Sequence, residues 1–150
     1  MGKKVIVVGA TSGIGLEVAR LFAQKGYTVG IAGRRMERLE EIAQSTPGIA
    51  AIQQIDITHK EAPEHLEELI AKLGGMDIYF HSSGIGWQNN LLDTDKEMKT
   101  IETNALGFVR MVTAAYNWFA SNGKMGQIAC ITSIARTRGL GAAPAYSSTK

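Results

Sequence analysis

An α/β fold, a doubly wound parallel sheet with helices on both faces, is what this 150-residue sequence predicts. Three observations lead there. Short β-branched runs alternate with longer segments of helical spacing, the pattern of strand–helix–strand units. The first run, Val5–Val8, is apolar throughout rather than alternating, the mark of a strand covered on both faces. A glycine-rich turn, Gly9–Gly15, joins that strand directly to the first helical segment.

In chain order, Val5–Val8 predicts the first strand. Gly13 to Lys25 places Ile14, Val18, Leu21 and Phe22 on one side and Glu17, Arg20 and Gln24 on the other, a helix that Gly26 ends. Thr28–Ala32 predicts the second strand, and Met36–Gln44 a charged helix with Leu39, Ile42 and Ala43 turned inward. Ala50–Ile57 predicts the third strand. Thr58-His59-Lys60-Glu61 reads as a capping box opening a helix to about Leu73. Asp77–Phe80 predicts the fourth strand, ending near His81. Thr94-Asp95-Lys96-Glu97 reads as a second capping box, opening a helical region that reaches Ser121. Gln127–Thr132 predicts the fifth strand, and Ala145–Lys150 begins a last helix with Pro144 at its start.

The helical region carries two apolar stripes. One is Ile101, Ala105, Phe108, Val112, Ala115 and Phe119; the other is Leu106, Val109 and Tyr116, with Met111 beside it. So wide an arc predicts burial on two sides, one by the sheet and one by a further helix or another subunit. A homodimer or homotetramer is therefore expected. No repeat, low-complexity stretch or linker interrupts residues 1–150, so they form one domain.

Composition narrows the function. Hydrophobic residues make up 45% and charged residues 20%, which fits a globular domain and excludes a disordered tail or a coiled coil. A net charge of +2 with no basic block excludes a general nucleic-acid binder. No apolar run is long enough to span a membrane. The basic start runs into the glycine turn without a cleavage site, so it reads as a strand rather than a signal peptide. The single cysteine, Cys130, excludes an intrachain disulfide framework and a multi-cysteine zinc site, and a cytoplasmic setting is expected. His59 and His65 lack ligand spacing, so no metal site is expected.

The turn Gly9-Ala10-Thr11-Ser12-Gly13-Ile14-Gly15 has the spacing G-x-x-x-G-x-G. Glycines there let the backbone turn sharply and approach a ligand, and the following helix start offers free N–H groups to a phosphate. A site for NAD would place an acid near the end of the second strand to hold the ribose hydroxyls. This chain has Gly33-Arg34-Arg35 instead. A guanidinium pairs with a 2′-phosphate, so NADP(H) is favoured over NAD(H). At the chain's end, Tyr146-Ser147-Ser148-Thr149-Lys150 puts a phenol and an ammonium four residues apart. That spacing shares a helix face, and the ammonium favours the phenolate, as a general acid/base for an alcohol–ketone pair requires. Ser133 follows the fifth strand directly, at the mouth of the sheet where ligand sites lie.

Together these motifs resemble the short-chain dehydrogenase/reductase family over the whole chain. The glycine motif matches at Gly9, Gly13 and Gly15, and the acidic residue that contacts adenine matches Asp56, followed by Ile57. The catalytic serine matches Ser133, the asparagine of the long helix matches Asn104, and Tyr-x-x-x-Lys matches Tyr146 and Lys150. The resemblance implies a Rossmann-type domain and an NADP(H)-dependent oxidoreductase. It would transfer hydride between the nicotinamide and a small alcohol or ketone. Gly9, Thr11, Ser12, Gly13, Ile14, Gly15, Arg34, Arg35, Asp56, Ile57, Gly84, Tyr146 and Lys150 would hold the cofactor. Ser133 would hydrogen-bond the substrate oxygen and Tyr146 would pass the proton. Lys150 would bind the nicotinamide ribose, and Asn104 would hold a water linking Lys150 to solvent.

Two departures accompany the resemblance. His81-Ser82-Ser83-Gly84 stands where the family has Asn-Asn-Ala-Gly; Gly84 is kept, and His81 reads as a satisfied structural histidine. The family pattern continues beyond a fifth strand, so the domain is expected to be C-terminally incomplete, with the activity belonging to a parent enzyme. Two other readings stay open. One is a nucleotide-binding or interaction module without turnover. The other is a nucleotide-sugar epimerase or dehydratase, against which the glycine spacing speaks.

Overall fold

β1 (Lys4–Val8) is the central strand of a five-stranded sheet, and Val5 to Val8 are fully buried because both faces of the strand are covered. The structure, a computed structural model, describes residues 2–150. β1 pairs in parallel with β2 (Thr28–Gly33) on one side and β4 (Ile78–His81) on the other. β3 (Ile49–Gln54) and β5 (Gln127–Cys130) complete the order β3-β2-β1-β4-β5, all parallel. The chain runs outward from β1 to β3, then returns across β1 to β4. That reversal opens a crevice beyond the C-terminal ends of β1 and β4, where open α/β sheets bind ligands.

Alternation along β1 divides the core. Val5 and Val7 face α1 (Gly13–Gln24) and α2 (Met36–Ser45), where they pack with Leu16, Ala19, Leu39 and Ile42. Ile6 and Val8 face α3 (Ala62–Leu73) and α5 (Phe108–Ser121), packing with Leu66, Leu69, Met111 and Ala115. α4 (Thr94–Ile101) and α6 (Pro144–Ser148) complete the helices. The doubly wound fold is as expected. No helix of the described residues is long and apolar enough to cross a membrane.

Several boundaries differ from the sequence expectation, each for a local reason. In α1 the buried residues are Gly15, Leu16, Ala19 and Ala23, whereas Ile14 and Leu21 are 57% and 53% exposed. The sheet-facing edge of the helix thus runs through Leu16, Ala19 and Ala23, with Val18 and Phe22 packed at its side. β3 stops at Gln54, not Ile57, and β5 at Cys130, not Thr132. The box at Thr58 does not form. Asp56 Oδ1 takes both the Thr58 N–H and its hydroxyl, at 3.0 and 2.7 Å, and α3 begins only at Ala62 with Pro63 in its first turn. The cap of α4 is Asp93, whose side chain accepts from Asp95 N and Lys96 N, rather than Thr94. Met111 is buried against the sheet rather than beside Leu106, Val109 and Tyr116, which remain 57–64% exposed. The last helix ends at Ser148, so Lys150 follows it rather than continuing it.

Candidate active site

The crevice at the reversal holds a cavity of about 350 Å³. Gly9, Thr11, Ser12, Gly13 and Ile14 form one wall; Arg34, Arg35, Asp56, Ile57 and Gly84 lie around the rest. Gly9 takes φ +89°, a left-handed conformation open to glycine, and a Cβ there would sit 2.6 Å from Ser83 N. Gly15 does not line the cavity; it lets α1 begin directly against the Gly9 carbonyl. Ser12 precedes α1 in extended geometry and makes no side-chain cap bond, so the N–H groups of the first turn face the cavity end without a side-chain acceptor.

Arg35 Nη2 donates to Thr11 Oγ1 at 2.9 Å, fastening the end of β2 to the glycine turn. The Arg34 carbonyl is held by Gln54 Nε2 at 2.8 Å, while its guanidinium makes no ion pair among the described residues. Burial raises the Asp56 carboxyl, but the two Thr58 hydrogen bonds and the charges of His59 and Arg34 outweigh it and hold it below the ordinary carboxylate value.

A second cavity of about 380 Å³ adjoins the first and shares Ser82, Gly84 and Ile85 with it. Tyr146 and Lys150 line it, with Gly86, Trp87, Gln88 and Ala143. Lys150 Nζ lies 5.7 Å from the Tyr146 ring centroid, within cation–π range, although Lys150 is past the helix end. The Tyr146 ring lies on Gly86, where a Cβ would approach Cδ2 to 2.5 Å. A Cβ at Gly84 would lie 2.9 Å from Lys150 Nζ and 3.3 Å from Asn104 Oδ1, so Gly84 keeps the meeting point of these groups open.

Asn104 sits in a π-helical segment, Glu102–Gly107, that joins α4 to α5 within the helical region expected to reach Ser121. Such segments re-aim a side chain within a helix. Asn104 Oδ1 accepts from Ile85 N at 2.8 Å, and its Nδ2 donates to Ile85 O at 2.7 Å and Thr149 Oγ1 at 3.2 Å. It therefore braces the shared wall and the residue before Lys150. Ser133 lines neither cavity; its Oγ accepts from Ala135 N at 3.1 Å and caps the short 3₁₀ turn Ile134–Arg136, which leaves the hydroxyl hydrogen uncommitted. Trp87 and Gln88 in the loop after β4, Thr103 in the π-helical segment and Ile131 just after β5 are cavity residues that sequence reasoning missed, because nothing in their spacing marks them as walls. Among the described residues no group of three or more His, Cys, Asp or Glu could hold a metal ion.

His81 departs from its expected satisfied state. Its Nδ1 lies 2.8 Å from the Tyr79 hydroxyl, but its buried Nε2 has no partner. Burial, then the Lys150 charge, lowers its pKa to about 4, with the Ser83 backbone opposing the shift. The unfolded chain therefore binds more protons between pH 6.5 and 4. This group's stabilisation is full above pH 6.5 and is lost as pH falls toward 4. The total is about 3 kcal/mol, at ~1.4 kcal/mol per unit. His81→Gln retains an acceptor but does not titrate. Urea unfolding at pH 7 and pH 4 should show a smaller pH dependence in H81Q by about that amount; equal dependence would contradict the assignment.

A family model described as short chain dehydrogenase matches residues 3–150. The chain belongs to the short-chain dehydrogenase/reductase family, as its motifs suggest. An uncharacterized oxidoreductase of Listeria monocytogenes is 33% identical over 154 residues, covering 99% of this chain and 62% of that protein. A crystal structure of serine dehydrogenase from Escherichia coli is similar at 30% identity and a TM-score of 0.88, covering 98% of this chain and 69% of that one. The alcohol dehydrogenase of Thermococcus sibiricus complexed with 5-hydroxy-NADP is similar at 25% identity and a TM-score of 0.83, covering 99% of this chain and 66% of that one. The chain thus spans about three fifths of the length of curated relatives it matches.

Proposed function

We propose that this chain is the cofactor-binding and catalytic portion of an NADP(H)-dependent oxidoreductase acting on a hydroxyl or carbonyl group. One observation carries the reading: the glycine turn and the Tyr146–Lys150 pair lie at two ends of one recess, joined through Ser82, Gly84 and Ile85. The residues present fit a dinucleotide. A Cβ at Gly13 would meet nothing within 4 Å, so the turn's outer side is open to a ligand. The first turn of α1 suits a pyrophosphate, Asp56 an adenine amino group, and Arg34 with Arg35 a 2′-phosphate. The nicotinamide, when bound, supplies or accepts the hydride.

The chain's own residues handle the proton. Tyr146 donates to or accepts from the substrate oxygen, and Lys150 places positive charge beside the phenol. Ser133 lies outside both cavities with its Oγ accepting from Ala135 N, so this geometry does not carry the bond to that oxygen which the family resemblance implies. Asn104 fixes Ile85 and Thr149 around the pair. The longest reading frame that contains these residues should consume NADPH with an added ketone or aldehyde, or reduce NADP⁺ with an alcohol. Failure across a broad panel of both substrate classes, with the cofactor bound, would contradict enzymatic turnover and favour a binding module.

Selectivity gives a sharper expectation. Arg34→Asp should weaken NADP⁺ binding by more than tenfold, since one charge-assisted pair is worth ~1.5–3 kcal/mol. NAD⁺ affinity should hold or rise. Equal preference before and after the change, by titration calorimetry, would remove Arg34 as the selector. The open stripe of Leu106, Val109 and Tyr116 supports a homodimer or homotetramer. Light scattering should give a mass above that of one chain, and a strict monomer would contradict this.

A further inference from the structure

Glu97 makes a connection that its own helix, α4, does not need and that supplies an acceptor to a free N–H at the start of α6. Its spacing from Thr94 suggests a capping box, yet Asp93 already caps α4, and the Glu97 carboxylate turns elsewhere. Oε2 accepts from the backbone N–H of Ala145 at 2.9 Å, 48 residues away, and Oε1 accepts from Asn89 Nδ2 at 2.7 Å. Asn89 is only 3% exposed. Its Oδ1 accepts from Asp93 N at 2.9 Å, its Nδ2 also donates to Asp93 O at 3.0 Å, and its backbone N–H donates to Ala142 O at 2.6 Å. Among the described residues Glu97 makes no ion pair. Three segments therefore meet at one carboxylate: the loop after β4, which carries Trp87 and Gln88; α4; and Ala142–Ala145, which leads into α6.

Tyr146 is the next residue after Ala145. We infer that Glu97, held by Asn89, is a positioning residue that sets the height of Tyr146 over the substrate recess relative to the Trp87–Gln88 wall. The inference rests on Tyr146 being the general acid/base. A carboxylate serves because hydrogen bonds to an ionised acceptor are roughly twice as strong as neutral ones, and its two oxygens bridge two donors that have no other common acceptor. Reacting groups displaced by about 1 Å lose on the order of 10² in rate, so a bond one residue from Tyr146 bears on turnover more than on binding. The glycine turn lies at the far end of the recess, beyond Glu97's contacts.

The test uses the longest reading frame containing the chain, with Glu97→Ala, Glu97→Gln and Tyr146→Phe made side by side. E97A should lower kcat by about 10- to 100-fold while KM and the NADP⁺ Kd stay within about threefold. E97Q should fall between E97A and wild type. Its amide oxygen still accepts from Ala145 N, but its amino group meets the donor of Asn89. Hydrogen exchange at the Ala145 amide should accelerate in E97A. A merely structural role would lower Tm and leave kcat of the folded protein unchanged, and that result overturns the inference. If E97A does not fold, E97Q decides: a kcat at least threefold down supports it, and wild-type kcat overturns it. Should Y146F keep its activity, the reading of Tyr146 fails and this inference falls with it. An inactive Y146F beside E97A and E97Q variants of wild-type kcat overturns this inference alone.

Discussion

Tyr146→Phe is expected to lower turnover by ~10²–10⁴, the range that a positioned acid/base group contributes. The substitution removes one oxygen and its proton and leaves the ring on Gly86. Lys150 would still lie near the ring face, and the glycine-turn cavity contains no atom of Tyr146. NADP⁺ affinity should therefore stay within about threefold, and the loss should appear in kcat rather than in cofactor binding. Steady-state kinetics beside a binding titration separates the two. A variant retaining more than a tenth of wild-type turnover would show that the proton passes elsewhere.

Gly9→Ala should be strongly damaging for a single added methyl group. Two costs add at this position. The backbone is left-handed, at φ +89°, which a side chain adopts at a cost of ~1–3 kcal/mol. The new Cβ would also lie 2.6 Å from Ser83 N and 2.8 Å from the Ser82 carbonyl carbon, both backbone atoms. Neither can rotate away, so β1 and the segment after β4 must separate. Overpacking of this kind costs a further ~1–3 kcal/mol. That separation opens the wall shared by both cavities. Cofactor binding should become undetectable, and the midpoint of thermal unfolding should drop by several degrees. Gly13→Ala shares the left-handed cost, at φ +57°, but its Cβ faces open space, so it should destabilise less than G9A while hindering a ligand at the turn. Equal Tm values for wild type and G9A would contradict the close approach of the two segments.

What the sequence made legible is chemistry set locally. The buried strand Val5–Val8, the glycine turn and the paired arginines are each short contiguous stretches whose place follows from strand, turn and helix in sequence, and Gly9–Ile14 (Ala10 apart) line one cavity with Arg34 and Arg35. Tyr146 and Lys150 were legible by spacing, although they meet beside a short helix rather than along a longer one. The failures involve competition between partners. Asp56 captured the hydroxyl that Thr58 needed to start a helix, and Asp93 took the cap that Thr94 suggested. Glu97 was thereby released to bind a residue 48 positions away, which no local pattern encodes. The π-helical segment around Asn104 is similar. It forms where Asn104 bonds Ile85 and Gly107 packs closely on Ile57, both contacts from distant strand ends. Met111 and Leu21 were misplaced because helical spacing defines a face but not which edge of that face meets the sheet.

A crystal structure with NADP⁺ bound tests the central claim most directly. The adenosine phosphate should lie against Arg34 and Arg35, the pyrophosphate over the N–H groups at the start of α1, and the nicotinamide beside Tyr146 and Lys150, past Gly84. Cofactor density that runs along the recess in the opposite sense, or that leaves the Tyr146 cavity empty of the nicotinamide, would contradict it.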